Sequence, residues 1–313
     1  MFRIMLRITG TTSMNTSSER VDSLMQLSNE IYPAIDQRLG GETRARRILR
    51  LGINVVANEL KHGDMHTAGE QYESILIDQL QRGGIHPGSY RQWPAYMSHI
   101  KNIPSSPDVQ TMSMNGLANT YADVKRRTLA EDGKRERNAR HAVHLSALAL
   151  PYAYEQYPWL DAPRVAVYSL FHDVLEAYTG DVPTLGISEH DLALKYKAEE
   201  KAMEQLAFDY GQVYPEFVQA VHDYETLANP EARYTKTSDK LDPAYTHFAN
   251  KGKQLVGFYG YTSPEQLLVA SEPTTARIMG YGSEFPELLE DRLELLKRVA
   301  DHTEWPATIV SSS

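Results

Sequence analysis

The sequence predicts an all-α protein, and three observations carry that reading. Apolar residues recur at helical spacing along most of the 313 residues. Segment ends carry helix punctuation: N-capping Asp, Ser and Asn, prolines in first turns, glycines just past last turns. No run of alternating apolar and polar residues bounded by turns suggests strands. Hydrophobic residues at 42% and charged residues at 23%, with 19 glycines and 16 prolines, exclude a disordered, collagenous or low-complexity chain.

In chain order, the pattern is helical over about 20–38, 42–61 and 67–82, punctuated by Gly40–Gly41 and Gly63. Gly83, Gly84, Pro87, Gly88, Pro94, Pro104 and Pro107 then crowd together, which predicts a long connection. Glu136-Arg137-Asn138-Ala139-Arg140-His141 opens a helix whose Val143, Leu145, Leu148 and Leu150 face a core. Asp161 caps a helix with Pro163 in its first turn, and Gly180 ends it. Ser188 with Asp191 forms a capping-box pattern for a helix towards Tyr210, stopped by Gly211. Asn229-Pro230-Glu231 and Ser263-Pro264-Glu265-Gln266 start two more, and Pro286 to about Asp301 gives the last.

Lysine and arginine total 32 against 41 acids, a formal charge of −9, so the chain is not built to coat a nucleic-acid polymer or an anionic membrane. Cysteine is absent, which excludes disulfides, zinc–thiolate sites and thiol nucleophiles and leaves histidine and carboxylates for any metal. No stretch approaches the ~18–20 apolar residues of a membrane span. Residues 1–19 read as a flexible start. Arg3, Arg7 and the lack of an acid before Glu19 give them the composition of a transit peptide, but a ragged beginning before an initiator at Met14 is the reading preferred, and a cytoplasmic protein is expected.

Chemistry concentrates in Phe171-His172-Asp173-Val174-Leu175-Glu176-Ala177-Tyr178-Thr179-Gly180-Asp181-Val182-Pro183-Thr184. On one helix His172 and Glu176 share a face, with Asp173 about 100° round from His172. The adjacent imidazole and carboxylate reach one divalent ion, and Glu176, one turn on, reaches a water on that ion. Taken alone, a His-Asp pair reads as a satisfied surface pair. Its company changes that: His141 lies upstream, and Lys236-Thr237-Ser238-Asp239-Lys240-Leu241 places a carboxylate on a third helix.

The order His, then His-Asp, then Asp resembles the HD-domain metal-dependent phosphohydrolases, and HDxxExxxGDxPT looks most like the bacterial 5′-deoxynucleotidases and their relatives. The resemblance covers roughly 115–255. It implies an HD-domain helical bundle over 112–262, an additional N-terminal helical region over 20–111 and a helical extension over 263–313. It also implies metal ligands at His141, His172, Asp173 and Asp239, a catalytic carboxylate at Glu176 and a substrate-contacting turn from Asp181 to Thr184. Arg126 matches the arginine of the family's Arg-Trp pair, Arg127 stands in place of the tryptophan, and Arg140 stands where an acid usually precedes the first histidine. His144, three residues after His141 on the same side of the helix, competes for the first ligand position. His141 is preferred, with Glu136 and Lys134 in family register. His247, about two turns beyond Asp239, is a candidate for the same cavity, and His222 a weaker one. Pro243 either kinks the helix beside Asp239 or ends it.

Two histidines and two aspartates suit Mn, Co, Fe, Ni or Zn and leave positions for water and a phosphate oxygen. On this reading Glu176 is the general acid or base and Arg126 clamps phosphate. Titratable ligands at one ion imply loss of activity in acid. Seven basic residues over 125–140 (Lys125, Arg126, Arg127, Lys134, Arg135, Arg137, Arg140) suit a phosphate-bearing substrate, and Arg44, Arg46, Arg47 and Arg50 read as a solvated face or an interface. The expected substrate is a nucleotide, foremost a deoxynucleoside 5′-monophosphate. The alternatives are triphosphohydrolase, cyclic-nucleotide or alarmone hydrolysis, or a non-catalytic nucleotide-binding module. Ala177 after Glu176, where alarmone hydrolases carry a Glu-Asp pair, favours the first reading. A homo-oligomer is compatible with the sequence.

Overall fold

The computed structural model describes residues 16–39, 41–85, 114–130 and 132–306. The start before Thr16, Gly40 and the breaker-rich connection from Pro87 to Pro107 lie outside the described residues. Among those described, helices dominate: α1 (Ser17–Asp36), α2 (Arg44–Leu60), α3 (Met65–Arg82), α4 (Asn115–Asp123), α5 (Asn138–Gln156), α6 (Ala162–Phe171), α7 (Glu176–Thr179), α8 (Glu189–Tyr210), α9 (Pro215–Glu225), α10 (Pro230–Asp239), α11 (Asp242–Ala249), α12 (Lys253–Gly257), α13 (Pro264–Tyr281) and α14 (Pro286–His302). The sequence punctuation is realised in the caps. Asp161, Ser188 and Asn229 each accept a backbone N–H in the first turn of α6, α8 and α10, and Pro230 opens α10.

Two small antiparallel hairpins depart from the all-helical reading. β1 (Arg38–Leu39) pairs with β2 (Glu42–Thr43), with Gly41 at φ +90° in the turn. β3 (Lys125–Leu129) pairs with β4 (Arg135–Arg137). In β3 the inward residues are Arg126 and Thr128, so the period of two is present but carried by polar side chains. Hydropathy could not expose it. Glu136 accordingly faces inward from β4, and the helix of His141 begins two residues after it, at Asn138.

The helix read from Asp161 to Gly180 is also broken. α6 stops at Phe171, and His172 to Leu175 wind on through i→i+3 bonds such as Val174 N–H to Phe171 O at 2.8 Å and Glu176 N–H to Asp173 O at 3.0 Å. The cause is local competition for the backbone. The Ser169 carbonyl accepts from His172 Nδ1 at 2.9 Å, and the Tyr121 hydroxyl of α4 donates to the Leu170 carbonyl at 3.3 Å. Pro243 falls in the first turn of α11, so it marks a helix end rather than a kink.

α5 is buried along nearly its whole length and forms the axis of the bundle, packed by α1, α2 and α6. One hydrophobic cluster runs from Val21 in α1 through the central helices to Ala300 in α14. The helices of 20–85 therefore share a core with those that carry the histidines. α3 and α6 approach closely at Gly69, where a Cβ would stand 2.0 Å from the Pro163 carbonyl oxygen. In the cluster read as a solvated face or an interface, Arg44 is buried and donates to the Gln79 carbonyl at 2.8 Å, while Arg46 and Arg50 pair with Asp123 and Glu42.

Candidate metal centre

Three breaks in the helical bundle meet at one point. α5 supplies His141 from its first turns, the tight turn after α6 supplies His172 and Asp173, and α10 supplies Asp239 at its last residue. One ligand atom from each of the four lies within 4.8 Å of all the others. Asp239 Oδ1 is 3.0 Å from His141 Nε2 and 3.5 Å from His172 Nε2, and Asp173 Oδ2 is 3.1 Å from His172 Nε2. All are buried except Asp173, which is partly exposed.

The donor arithmetic at His172 is informative. Its Nδ1 donates to Ser169 O, so in the neutral ring Nε2 carries a lone pair. That buried nitrogen makes no hydrogen bond, yet two carboxylate oxygens face it. Acceptors pointed at one another in a buried site repel unless a cation lies between them. His141 is prepared in the same way, with Nδ1 against Asp242 Oδ2 at 2.7 Å and Nε2 turned to the cluster. The residues present therefore fit a divalent cation, with a nitrogen and oxygen donor set suited to a transition metal. Where no cation lies between them, protons and ammonium groups balance the site. Burial and Arg126 press the His141 imidazole down, but Asp242 and Asp239 carry it up to about 10. Burial opposes charge on Asp239 as well, and Lys240 at 2.6 Å with His141 and His172 holds it well below the usual carboxylate range.

Glu176, at the start of α7, is buried beside the cluster and accepts from Asn138 Nδ2 at 2.8 Å. Burial, then Asp173 and Asp181, push its carboxyl up to about 8 against the pull of Arg126 and Asn138. Arg126 is buried too, with Nη1 2.6 Å from Asp173 and Nε 3.6 Å from Glu136. Asp181 accepts the Arg127 backbone N–H at 2.6 Å, which joins the turn after α7 to β3. Arg126, Asp173, Glu176, Asp181, Thr184 and Asp239 all line one cavity of about 130 Å³. A larger groove of about 1000 Å³ continues from it past Thr184, Lys195, Lys236 and Lys240.

Of the competing histidines, His144 points away from the cluster, between Asp242 and Ser28. His247 is buried on the cavity wall with no partner at Nδ1, and burial lowers its imidazole to about 4. His222 lines the outer groove. Sequence reasoning missed Asp242, Asn138, Tyr121 and the three lysines. Only Asp242 left a trace, as an acid directly before Pro243 at a helix start. Among the described residues, no helix is long and apolar enough to cross a membrane.

Among solved structures, the chain is similar to a predicted metal-dependent phosphohydrolase from Magnetospirillum magnetotacticum MS-1, at 22% identity over 65% of this chain and 94% of that one, with a TM-score of 0.43. No curated protein matches it. The family model described as "HD domain" matches residues 119–278, from within α4 to within α13. That span is just over half of the 313 residues and contains His141, His172, Asp173, Glu176 and Asp239, and on that match the chain belongs to the HD-domain family.

Proposed function

We propose that this protein is a metal-dependent phosphohydrolase acting on nucleotides, foremost a phosphomonoesterase of deoxynucleoside 5′-monophosphates. The observation that carries the reading is His172 Nε2, a buried lone pair faced by two carboxylates and backed by His141. His141, His172, Asp173 and Asp239 would hold the ion, which when bound activates a water and neutralises charge on phosphorus. Glu176, tethered by Asn138 and with its carboxyl pushed up to about 8, moves a proton to or from the water or the leaving-group oxygen. Arg126, Lys195, Lys236 and Lys240 line the cavity and offer positive charge to phosphate oxygens.

A second reading, triphosphate hydrolysis, draws on the three lysines where the cavity opens into the outer groove, which would accommodate further phosphates. One experiment separates them: purified protein loaded in turn with Mn, Co, Fe, Ni or Zn is screened against nucleoside mono-, di- and triphosphates. Orthophosphate from monophosphates supports the first reading. Pyrophosphate or tripolyphosphate from triphosphates, with monophosphates untouched, replaces it by the second. No release from any of them overturns both.

A further inference from the structure

α1 lies outside the segment that the HD-domain model matches, yet it presents Ser28, Tyr32 and Asp36 to α5. These are spaced i, i+4, i+8, one stripe along a single face. Each engages a residue beside the metal cluster. Ser28 Oγ is 2.9 Å from His144 Nε2. Tyr32 stacks on the His144 ring at 4.0 Å and 10°. Asp36 pairs with Arg140 at 3.1 Å, and the Arg140 guanidinium lies 4.1 Å from the Tyr32 ring centroid. On its far side His144 Nδ1 meets Asp242 Oδ1 at 2.5 Å, and the other oxygen of Asp242 holds His141 Nδ1 at 2.7 Å. Ser28, His144, Asp242 and His141 are all buried.

The hydrogens assign themselves. A carboxylate only accepts, so both Nδ1 atoms are donors. In the neutral ring His144 Nε2 is then an acceptor, and the Ser28 hydroxyl donates to it. The chain Ser28→His144→Asp242←His141 has every polarity fixed, and it leaves His141 Nε2 as the atom offered to the metal. A helix that only packed against α5 would put apolar side chains here.

We infer that Asp242 is a positioning residue for His141, and that α1, through Ser28 and His144, is a working part of the metal centre. The inference rests on the metal-binding reading above. Outer hydrogen-bond partners of ligating histidines fix tautomer and ring orientation, and their loss costs ~10–100-fold in metal affinity or activity. Asparagine at 242 could accept from only one of the two imidazoles, and its amide would oppose the other.

The test uses the full chain and Co²⁺ as both ligand and reporter. Competition with a chelator gives the dissociation constant, and the visible spectrum reports ligand geometry. Asp242→Asn is expected to weaken Co²⁺ binding by about 10–100-fold and to change the spectrum. Ser28→Ala, a substitution that suits a helix, is expected to weaken binding by about threefold or more with a smaller spectral change, and it keeps the test decisive if the first variant does not fold. Variants that bind Co²⁺ like the parent with the parent spectrum overturn the inference, even if their metal-free melting temperature falls, because the network is then only structural. A folded parent that binds none of the five metals overturns the metal reading and this inference together.

Discussion

At Asp173, burial and neighbouring charge pull in opposite directions. Burial disfavours the carboxylate, yet His172 and Arg126 hold it well below its ordinary range, so the residue stays charged. Glu176, three residues on, goes the other way, because Asp173 and Asp181 add their repulsion to burial. On the proposed reading, the one anion would serve a metal and the other carboxyl would exchange a proton. Glu176→Gln keeps the shape and the contact with Asn138 but cannot take a proton. It should leave metal content unchanged while turnover falls ~10²–10⁴-fold; parental turnover in a metal-loaded Gln variant would remove Glu176 from the reaction. Glu73 offers a test free of the metal. It is fully buried in α3, and burial pushes it up to about 8 although the Tyr154 hydroxyl pulls it down. A raised carboxyl contributes stability that is present below about 4.5 and lost as pH rises through about 8, at most about 1.4 kcal/mol per pH unit between them. Glu73→Gln removes that loss. Urea unfolding at pH 5.5 and 8.5 should show the Gln variant gaining on the parent at the higher pH; parallel behaviour would place the Glu73 titration elsewhere. The cluster at His141, His172, Asp173 and Asp239 was legible because the spacing of a motif survives folding. Asp242 was not, because its partners His141 and His144 lie about a hundred residues upstream; the three lysines were not, because the groove they line is assembled from separate elements and leaves no local pattern.

At the level of elements, the caps were readable and the interruptions were not. Asp161, Ser188 and Asn229 announce α6, α8 and α10 because a side-chain oxygen on a first-turn N–H is a local event. The break after Phe171 depends on Tyr121, some fifty residues upstream and on another helix. Sequence spacing puts His172 and Glu176 on one regular face, whereas the structure tightens the chain between them and sets Glu176 at the head of a new turn. Helix contacts leave a clearer mark in glycine. At Gly69, α3 meets the backbone of Pro163, which cannot swing aside as a side chain would. Gly69→Ala should force α3 and α6 apart and cost about 1–3 kcal/mol or more, against the gain of up to ~1 kcal/mol that Ala brings to an unhindered helix. Denaturant unfolding of the single variant decides it, and a stabilised Gly69→Ala would mean that the helices separate freely.

Over the whole molecule, the ends of the chain close on the centre. Arg20 of α1 binds Asp291 of α14 at 2.8 Å, and the Tyr152 hydroxyl of α5 donates to the same carboxylate at 2.6 Å, all three buried. The first and last described helices are thereby fastened to the helix of His141. The division into an N-terminal region, an HD domain and a C-terminal extension is a reading of sequence, and the core runs continuously across it. On the proposed reading, the metal would be a structural element as well. His141 comes from α5, His172 and Asp173 from the turn after α6, and Asp239 from the end of α10, so an ion among them would add a further tie to three segments already packed in one core. An ion that binds only the folded chain stabilises it by RT ln(1 + [L]/Kd), about 2.7 kcal/mol at a hundredfold excess over Kd. For a chain of this length that corresponds to a rise in Tm of roughly 2–4 °C for each kcal/mol. Melts of the metal-loaded protein and of protein stripped by a chelator should therefore differ by several degrees, and the gap should widen with free metal concentration. His141→Ala should abolish the gap, because it removes a ligand, whereas His144→Ala should narrow it only partly, since His144 turns to Asp242 and Ser28. If stripped and loaded protein melt together, the four side chains are held by the bundle alone and the ion adds nothing to the fold. If His144→Ala is the variant that closes the gap, the first ligand lies one helical turn further along α5.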